Sequence, residues 1–143
     1  MDRSVNYLGI ARKAALLEIG EENAGAAVKH GTARVLVLAG DASDNARRRA
    51  EGFVYQTNVP LITAPQTKLE LSRLLAKPGC SMLAITDLGL AAGYVAALAE
   101  AEPEKYMQVA QALGESSRKA ARRREEKRAG QSNKRVGKRR NNL

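Results

Sequence analysis

The chain has 143 residues and a formal net charge of +9, from 24 lysines and arginines against 15 aspartates and glutamates. That length gives room for one domain with its own core plus an appendage. The lone Cys80 excludes an intramolecular disulfide and a zinc knuckle or ribbon. One phenylalanine, four tyrosines and no tryptophan leave too few rings for a base-stacking platform. The charge is concentrated: residues 115–143 hold twelve Lys/Arg and three Glu, so residues 1–114 are neutral. Such an asymmetry marks a nucleic-acid-binding arm.

Met1-Asp2-Arg3-Ser4 leads into a charged amphipathic segment, not an apolar signal core, and a single cysteine fits a reducing, cytoplasmic compartment. Ser4 reads as the N-cap of a helix through Ala14, with Val5, Leu8, Ala11 and Ala15 on its inner face. Arg12-Lys13 lies near its C-terminal end, where positive charge is favourable. Leu16 to Ile19 makes a short strand that stops at Gly20, and a short helix follows to Gly31; glycine at each end suits the sharp turns. The first amides of that helix have no partner within it, and the helix dipole adds positive potential there. A phosphate is the natural partner for that end.

Val35 to Ala39 is an apolar run of strand length, expected where both sheet faces are covered. Asp41 or Ser43 caps the next helix, with Ala46, Ala50 and Phe53 inward. Arg47-Arg48-Arg49 spreads over roughly 200° of that helix, either a solvated face or a phosphate-contacting edge. Val59 to Thr63 is a third strand, and Pro60 near its start suits an edge position. Thr67 and Glu70 match a capping box for a helix to Ala76, which Lys77-Pro78-Gly79 breaks. Ser81 to Thr86 is a fourth strand, and Asp87 caps a helix to Ala99. Residues 79–99 are the most apolar stretch, but Asp87 divides it into strand and helix, so it reads as core and not as a membrane span. Pro103-Glu104 opens a last helix with Tyr106, Val109 and Leu113 on its apolar face.

Helices alternating with short strands predict an α/β fold: a three-layer α/β/α sandwich around a central four-stranded mixed sheet, plus a basic C-terminal helix and tail. The α/β domain is residues 1–102 and the helix 103–129, basic in its second half. Residues 118–128 offer only alanine as an apolar anchor, and an isolated helix of that length is marginal in water. The Gly, Asn, Gln, Ser, Lys and Arg of 130–143 predict a tail disordered until bound.

No catalytic constellation is visible. His30 is the only histidine, and there is no phosphate-binding Gly-x-x-x-x-Gly-Lys loop or Gly-x-Gly-x-x-Gly turn. A Cys80–His30 nucleophilic pair stays open, although a cysteine in apolar surroundings is more often inert core. The chain reads as a non-enzyme without metal or cofactor.

Gly20 to Gly31, followed by Thr32 to Ser43, resembles the kink-turn-binding ribosomal-protein superfamily of the L-seven-Ae type, and within it the small YlxQ-like bacterial branch. The family pattern is Gly-x-Asn-Glu-x-x-Lys, then Arg-Gly, then a buried strand ending Ala-Glu-Asp. Here Glu22, Asn23 and Ala26 occupy the Asn, Glu and Lys positions, His30 precedes Gly31, and Gly40 stands where the family has Glu. Asp41-Ala42-Ser43 and Ala84-Ile85-Thr86-Asp87 match well; Thr67 to Arg73 matches more weakly, since Leu71-Ser72 stands where the family favours Leu-Gly.

In that family the Asn and Glu read the sheared G·A pairs of a kinked RNA. The resemblance therefore implies an RNA site at Gly20, Glu21, Glu22, Asn23, Lys29 and His30. It adds the loop at Lys77 and Pro78, with Lys68 and Arg73 as nearby phosphate contacts. Without the resemblance, Glu22 and Asn23 are first-turn polar residues of a kind that often only cap. Their inverted order turns each group by ~100° around the helix, which predicts altered or weaker base reading. Gly20 and Gly25 would let an RNA backbone approach closely.

In the arm, Arg118, Lys119, Arg122, Arg123, Arg124, Lys127, Arg128, Lys134, Arg135, Lys138, Arg139 and Arg140 are candidate phosphate contacts; the bland alternative is a solubilising tail. The expected function is a non-catalytic RNA-binding protein of the ribosome or translation apparatus. Its expected partners are structured, ribosomal-type RNA and ribosomal proteins, with no membrane, and the protein is expected to be monomeric. The alternative is a general nucleic-acid or protein-interaction scaffold that has lost kink-turn specificity.

Overall fold

Two apolar runs, Val-Leu-Val-Leu and Met-Leu-Ala-Ile, form the central strands, since a strand covered on both faces can bury every side chain. The computed structural model describes residues 3–141, with side chains through residue 130. The elements run α1 (Arg3–Lys13), β1 (Leu17–Ile19), α2 (Glu21–Lys29), β2 (Val35–Leu38), α3 (Asp44–Val54), β3 (Leu61–Thr63), α4 (Lys68–Leu75), β4 (Met82–Ile85), α5 (Leu88–Ala101) and α6 (Pro103–Asn141). The sheet order is β1-β4-β2-β3. β4 is antiparallel to both neighbours and β2 is parallel to β3, so the four-stranded sheet is mixed, as expected.

Alternation along the central strands separates two cores. Val35, Val37, Leu83 and Ile85 pack with Leu8 of α1, Leu71 and Leu75 of α4, Tyr94 and Leu98 of α5, and Tyr106 and Leu113 of α6. Leu36, Leu38, Met82 and Ala84 face Ala24, Ala27 and Val28 of α2 and Ala46 and Ala50 of α3. The second core is alanine-rich, so α2 and α3 lie close. Gly25 is part of that contact: a Cβ there would stand 2.6–2.9 Å from the Phe53 ring. Gly25 is therefore buried under Phe53 and is not a place for RNA backbone to approach.

β1, β2 and β3 all point one way, so α2, α3 and α4 begin at the same end of the sheet, here called the carboxyl end. The caps are local. Ser43 Oγ accepts from Ala46 N at 3.2 Å, Thr67 Oγ1 from Glu70 N at 3.2 Å, and Asp87 Oδ2 from Leu90 N at 2.9 Å. Asp41 does not cap α3; its Oδ1 accepts from Lys68 N at 2.7 Å and so serves α4. Glu70 answers Thr67 by accepting from its hydroxyl, at 3.2 Å.

Ser4 is no N-cap. α1 begins at Arg3, and Ser4 is fully buried in the first turn, where Gln66 Nε2 donates to its Oγ at 3.0 Å. Tyr94 OH in turn donates to Gln66 Oε1 at 3.0 Å. A hydroxyl inside the α1/α4/α5 core is tolerated because this chain of bonds satisfies it. Ala15, expected inside, is exposed at φ 58 in the turn that ends α1.

α6 continues to Asn141, past the predicted end at residue 129 and through the segment expected to be disordered. No proline follows Pro103, and Gly130 and Gly137 each weaken a helix by only about 1 kcal/mol relative to alanine. Residues 142 and 143 lie outside the described residues. Among the described residues, no helix is long and apolar enough to cross a membrane.

Gln66→Leu, which can neither donate to Ser4 nor accept from Tyr94, should lower unfolding stability by about 1–3 kcal/mol in denaturant titration. Gly25→Ala should cost about 1–3 kcal/mol by forcing Phe53 out of its place.

Candidate nucleic-acid interface

Gly20 sits at φ 97, ψ 158, a conformation essentially reserved for glycine. Its N–H donates to Met82 O at 2.9 Å, which fixes the start of α2 against the first residue of β4. α3, α4 and α5 each carry a side-chain cap, whereas α2 has none. The residues around this end are nevertheless engaged with the protein. Glu21 Oε1 pairs with Arg49 Nε of α3 at 2.8 Å, and Asn23 Nδ2 donates to Ile19 O at 3.0 Å. Glu22 is exposed.

The loop Lys77-Pro78-Gly79 is exposed, between Ala76 at φ 52 and Gly79 at φ 70. It runs into Ser81, whose carbonyl accepts from Ala39 N at 2.8 Å, and then into Met82 beside Gly20. Gly20, Glu21, Glu22, Asn23, Lys77 and Pro78 thus share the carboxyl end, and Lys68 joins them through Asp41. Arg73 is exposed in the last turn of α4. Lys29 and His30 do not join this group. They lie at the far end of α2, roughly 12 Å along the helix axis from Gly20 at 1.5 Å per residue. Adjacency in sequence across a helix does not bring its two ends together.

Carboxylates gather about the helix starts at the carboxyl end. Glu21, Glu22, Asp41, Asp44 and Glu70 stand there with Lys68, Lys77, the Arg49 already paired with Glu21, and Arg47, whose Nη1 donates to Thr63 Oγ1 at 3.5 Å. Arg3, paired with Glu100 at 3.1 Å, and Lys105, beside Tyr106, lie at the same end. Carboxylates near helix N-termini are favourable for the fold and unfavourable for a bound phosphate.

α6 sits with its root on the first core and its basic part beyond it. Tyr106 OH donates to Thr63 O at the end of β3, while Leu113 and Ser116 lie beside Asn58 and Pro60, which precede β3. The helix therefore runs antiparallel to β3 and leaves the body at the end opposite Gly20, here called the amino end. From Leu113 to Asn141 it rises about 42 Å. Arg118, Lys119, Arg122, Arg123, Arg124, Lys127 and Arg128 are all exposed, and none is ion-paired among the described residues. They are spread around the helix, with no apolar stripe that could dock on the body. Lys134, Arg135, Lys138, Arg139 and Arg140 lie on the same helix, their side chains outside the described residues. The two halves of the expected interface thus occupy opposite ends of the molecule. Arg34, not singled out in the sequence, is exposed at the amino end, held there by its N–H to Ile85 O at 2.8 Å.

Cys80 is buried in the first core, and desolvation holds its thiol above the ordinary value of 9.0, opposed by a bond to Met82 O. His30 follows α2, which covers the other face of the sheet, so the two are not a pair. Among the described residues, no group of three or more His, Cys, Asp or Glu side chains is placed to hold a metal ion.

No protein-family model matches the chain. No curated protein matches it either. Among solved structures, a protein with unknown function from Bacillus halodurans is similar, with a TM-score of 0.63 and 22% sequence identity. The match covers 68% of this chain and 97% of that one. This likeness shows the fold.

Gly20→Ala should destabilise the protein by about 1–3 kcal/mol, because the φ, ψ of Gly20 exclude a Cβ. The stability tied to protonated Cys80 is complete below pH 9.0 and lost as pH rises through the raised folded value. Melts between neutral and alkaline pH should therefore show a steeper decline for the wild type than for Cys80→Ala.

Proposed function

We propose that the protein is a non-catalytic, cytoplasmic RNA-binding protein of the ribosome or translation apparatus. The observation that carries this reading is α6, a helix rooted in the core whose length beyond Leu113 carries the whole net positive charge of the chain. Lysines and arginines that neutralise phosphates release counterions, and this term dominates binding without regard to sequence. The arm supplies most of the affinity for structured RNA, and the uncapped start of α2 is the place for a base-specific contact. The resemblance to kink-turn binders supports that second contact. A general nucleic-acid scaffold without kink preference is the competing reading, favoured by the bond from Asn23 to Ile19 O and by the acidic surroundings of Gly20.

A kink-turn RNA and an unkinked duplex, titrated against the full chain and against residues 1–117, test this reading. Residues 1–117 keep Tyr106 and Leu113, the buried residues of α6 among those whose side chains are described. Loss of the arm should weaken binding to both RNAs by about 10²–10³ and flatten the salt dependence. Glu22→Ala with Asn23→Ala should remove any preference for the kink and leave duplex binding within about twofold. Undiminished duplex binding by residues 1–117 would defeat the assignment to the arm.

A further inference from the structure

We infer that the body meets RNA with its amino end, on a basic platform of Arg12, Lys13, Lys29 and Arg34 that continues into the root of α6, and that the ligand is the phosphate backbone of an RNA helix. This rests on the RNA-binding reading above and adds a contact for duplex backbone at the end of the body opposite the base-specific contact at the start of α2. Chain segments from separate parts of the sequence converge there on the last residues of β4, which runs opposite to the other strands and finishes at the amino end. After Arg12-Lys13 the chain turns into Leu16, whose carbonyl accepts from Thr86 N at 3.0 Å. After Lys29 it reverses at Gly31 (φ 77), and Arg34 N donates to Ile85 O at 2.8 Å. A crevice of about 450 Å³ joins this surface to α6, with Gly31 and Arg34 on one side and Leu113 and Ser116 on the other. Arg118 and Lys119 follow Ser116 within one turn, and the Arg118 guanidinium lies back along the helix over Gly114.

The charges favour the same end. Arg12, Lys13, Lys29 and Arg34 are exposed, and no carboxylate among the described residues pairs with them. Of the carboxylates nearby, Asp87 is committed to capping α5, while Glu18 on β1 and Glu115 on α6 are exposed. Arg12, Lys13 and Lys29 also complement helix C-termini. Arg34 lies in no helix, so that role does not account for it. A duplex lying along α6 meets these cations where the helix enters the body, whereas the carboxyl end would present it with Glu21, Glu22, Asp41 and Asp44.

The test uses the full chain and a fluorescent RNA duplex of about 20 base pairs, titrated over a range of salt. Lys29→Gln with Arg34→Gln removes two positive charges at the amino end; Arg3→Gln with Lys105→Gln removes two at the carboxyl end. The first pair should weaken binding about tenfold at 100 mM salt and lower the slope of log K against log salt by about 2. The second pair should stay within about twofold of wild type. Equal losses for the two pairs, or no loss for Lys29→Gln with Arg34→Gln while wild type binds, would overturn the platform and leave RNA binding intact. Failure of the wild type to bind the duplex would overturn the RNA reading and the platform with it.

Discussion

The antiparallel pairing of Val35–Leu38 with Met82–Ile85 is the constraint on which the rest of the molecule depends. Every residue of both strands is buried, so each side chain must meet an apolar partner on one face or the other. A slip of one residue would send every side chain of the strand to the wrong core. With the register set, the odd-numbered positions claim α1, α4, α5 and the root of α6, while the even-numbered ones claim α2 and α3. The same pairing orients the other strands. β1 and β2 both oppose β4, and β3 follows β2, which places the starts of α2, α3 and α4 together at one end.

That common direction polarises a body whose formal charge is zero. Acidic residues collect where the helices begin, and several basic ones where α1 and α2 end, as the peptide dipoles prefer. A count of charges along the sequence sees only neutrality. The folded body instead gathers carboxylates about the starts of α2, α3 and α4, and the cations Arg12, Lys13 and Lys29 where α1 and α2 end.

Much of the architecture was legible in the sequence because its cues are local. Four-residue apolar runs gave the central strands, and Thr67 and Asp87 gave helix starts. Gly20 and Gly31 gave the limits of α2 to within a residue or two. What was not legible depended on partners distant in sequence. Nothing near Ser4 announces Gln66, 62 residues away, as the group that lets a serine sit in the core. Gly25 resembled an open approach until Phe53 covered it. Asp41 and Ser43 looked like rivals for one helix and serve two. Lys29 and His30 were grouped with Gly20 by proximity along the chain, and the axis of α2 separates them. The length of α6 was missed because composition favours disorder there, although nothing in the segment forbids a helix.

α6 is anchored by Tyr106 and Leu113 and then leaves the body as a rod roughly 40 Å long. Its inner exposed stretch mixes Glu115, Glu125 and Glu126 among the cations; beyond Arg128 the sequence holds no aspartate or glutamate, so the positive charge per residue rises. At physiological ionic strength a fixed charge is felt over only about 8 Å. The body by itself is electrostatically blind beyond that shell, whereas the rod carries the field about five screening lengths further out. The capture radius for a polyanion is thereby set by the length of one helix, independently of how tightly anything is held once it arrives.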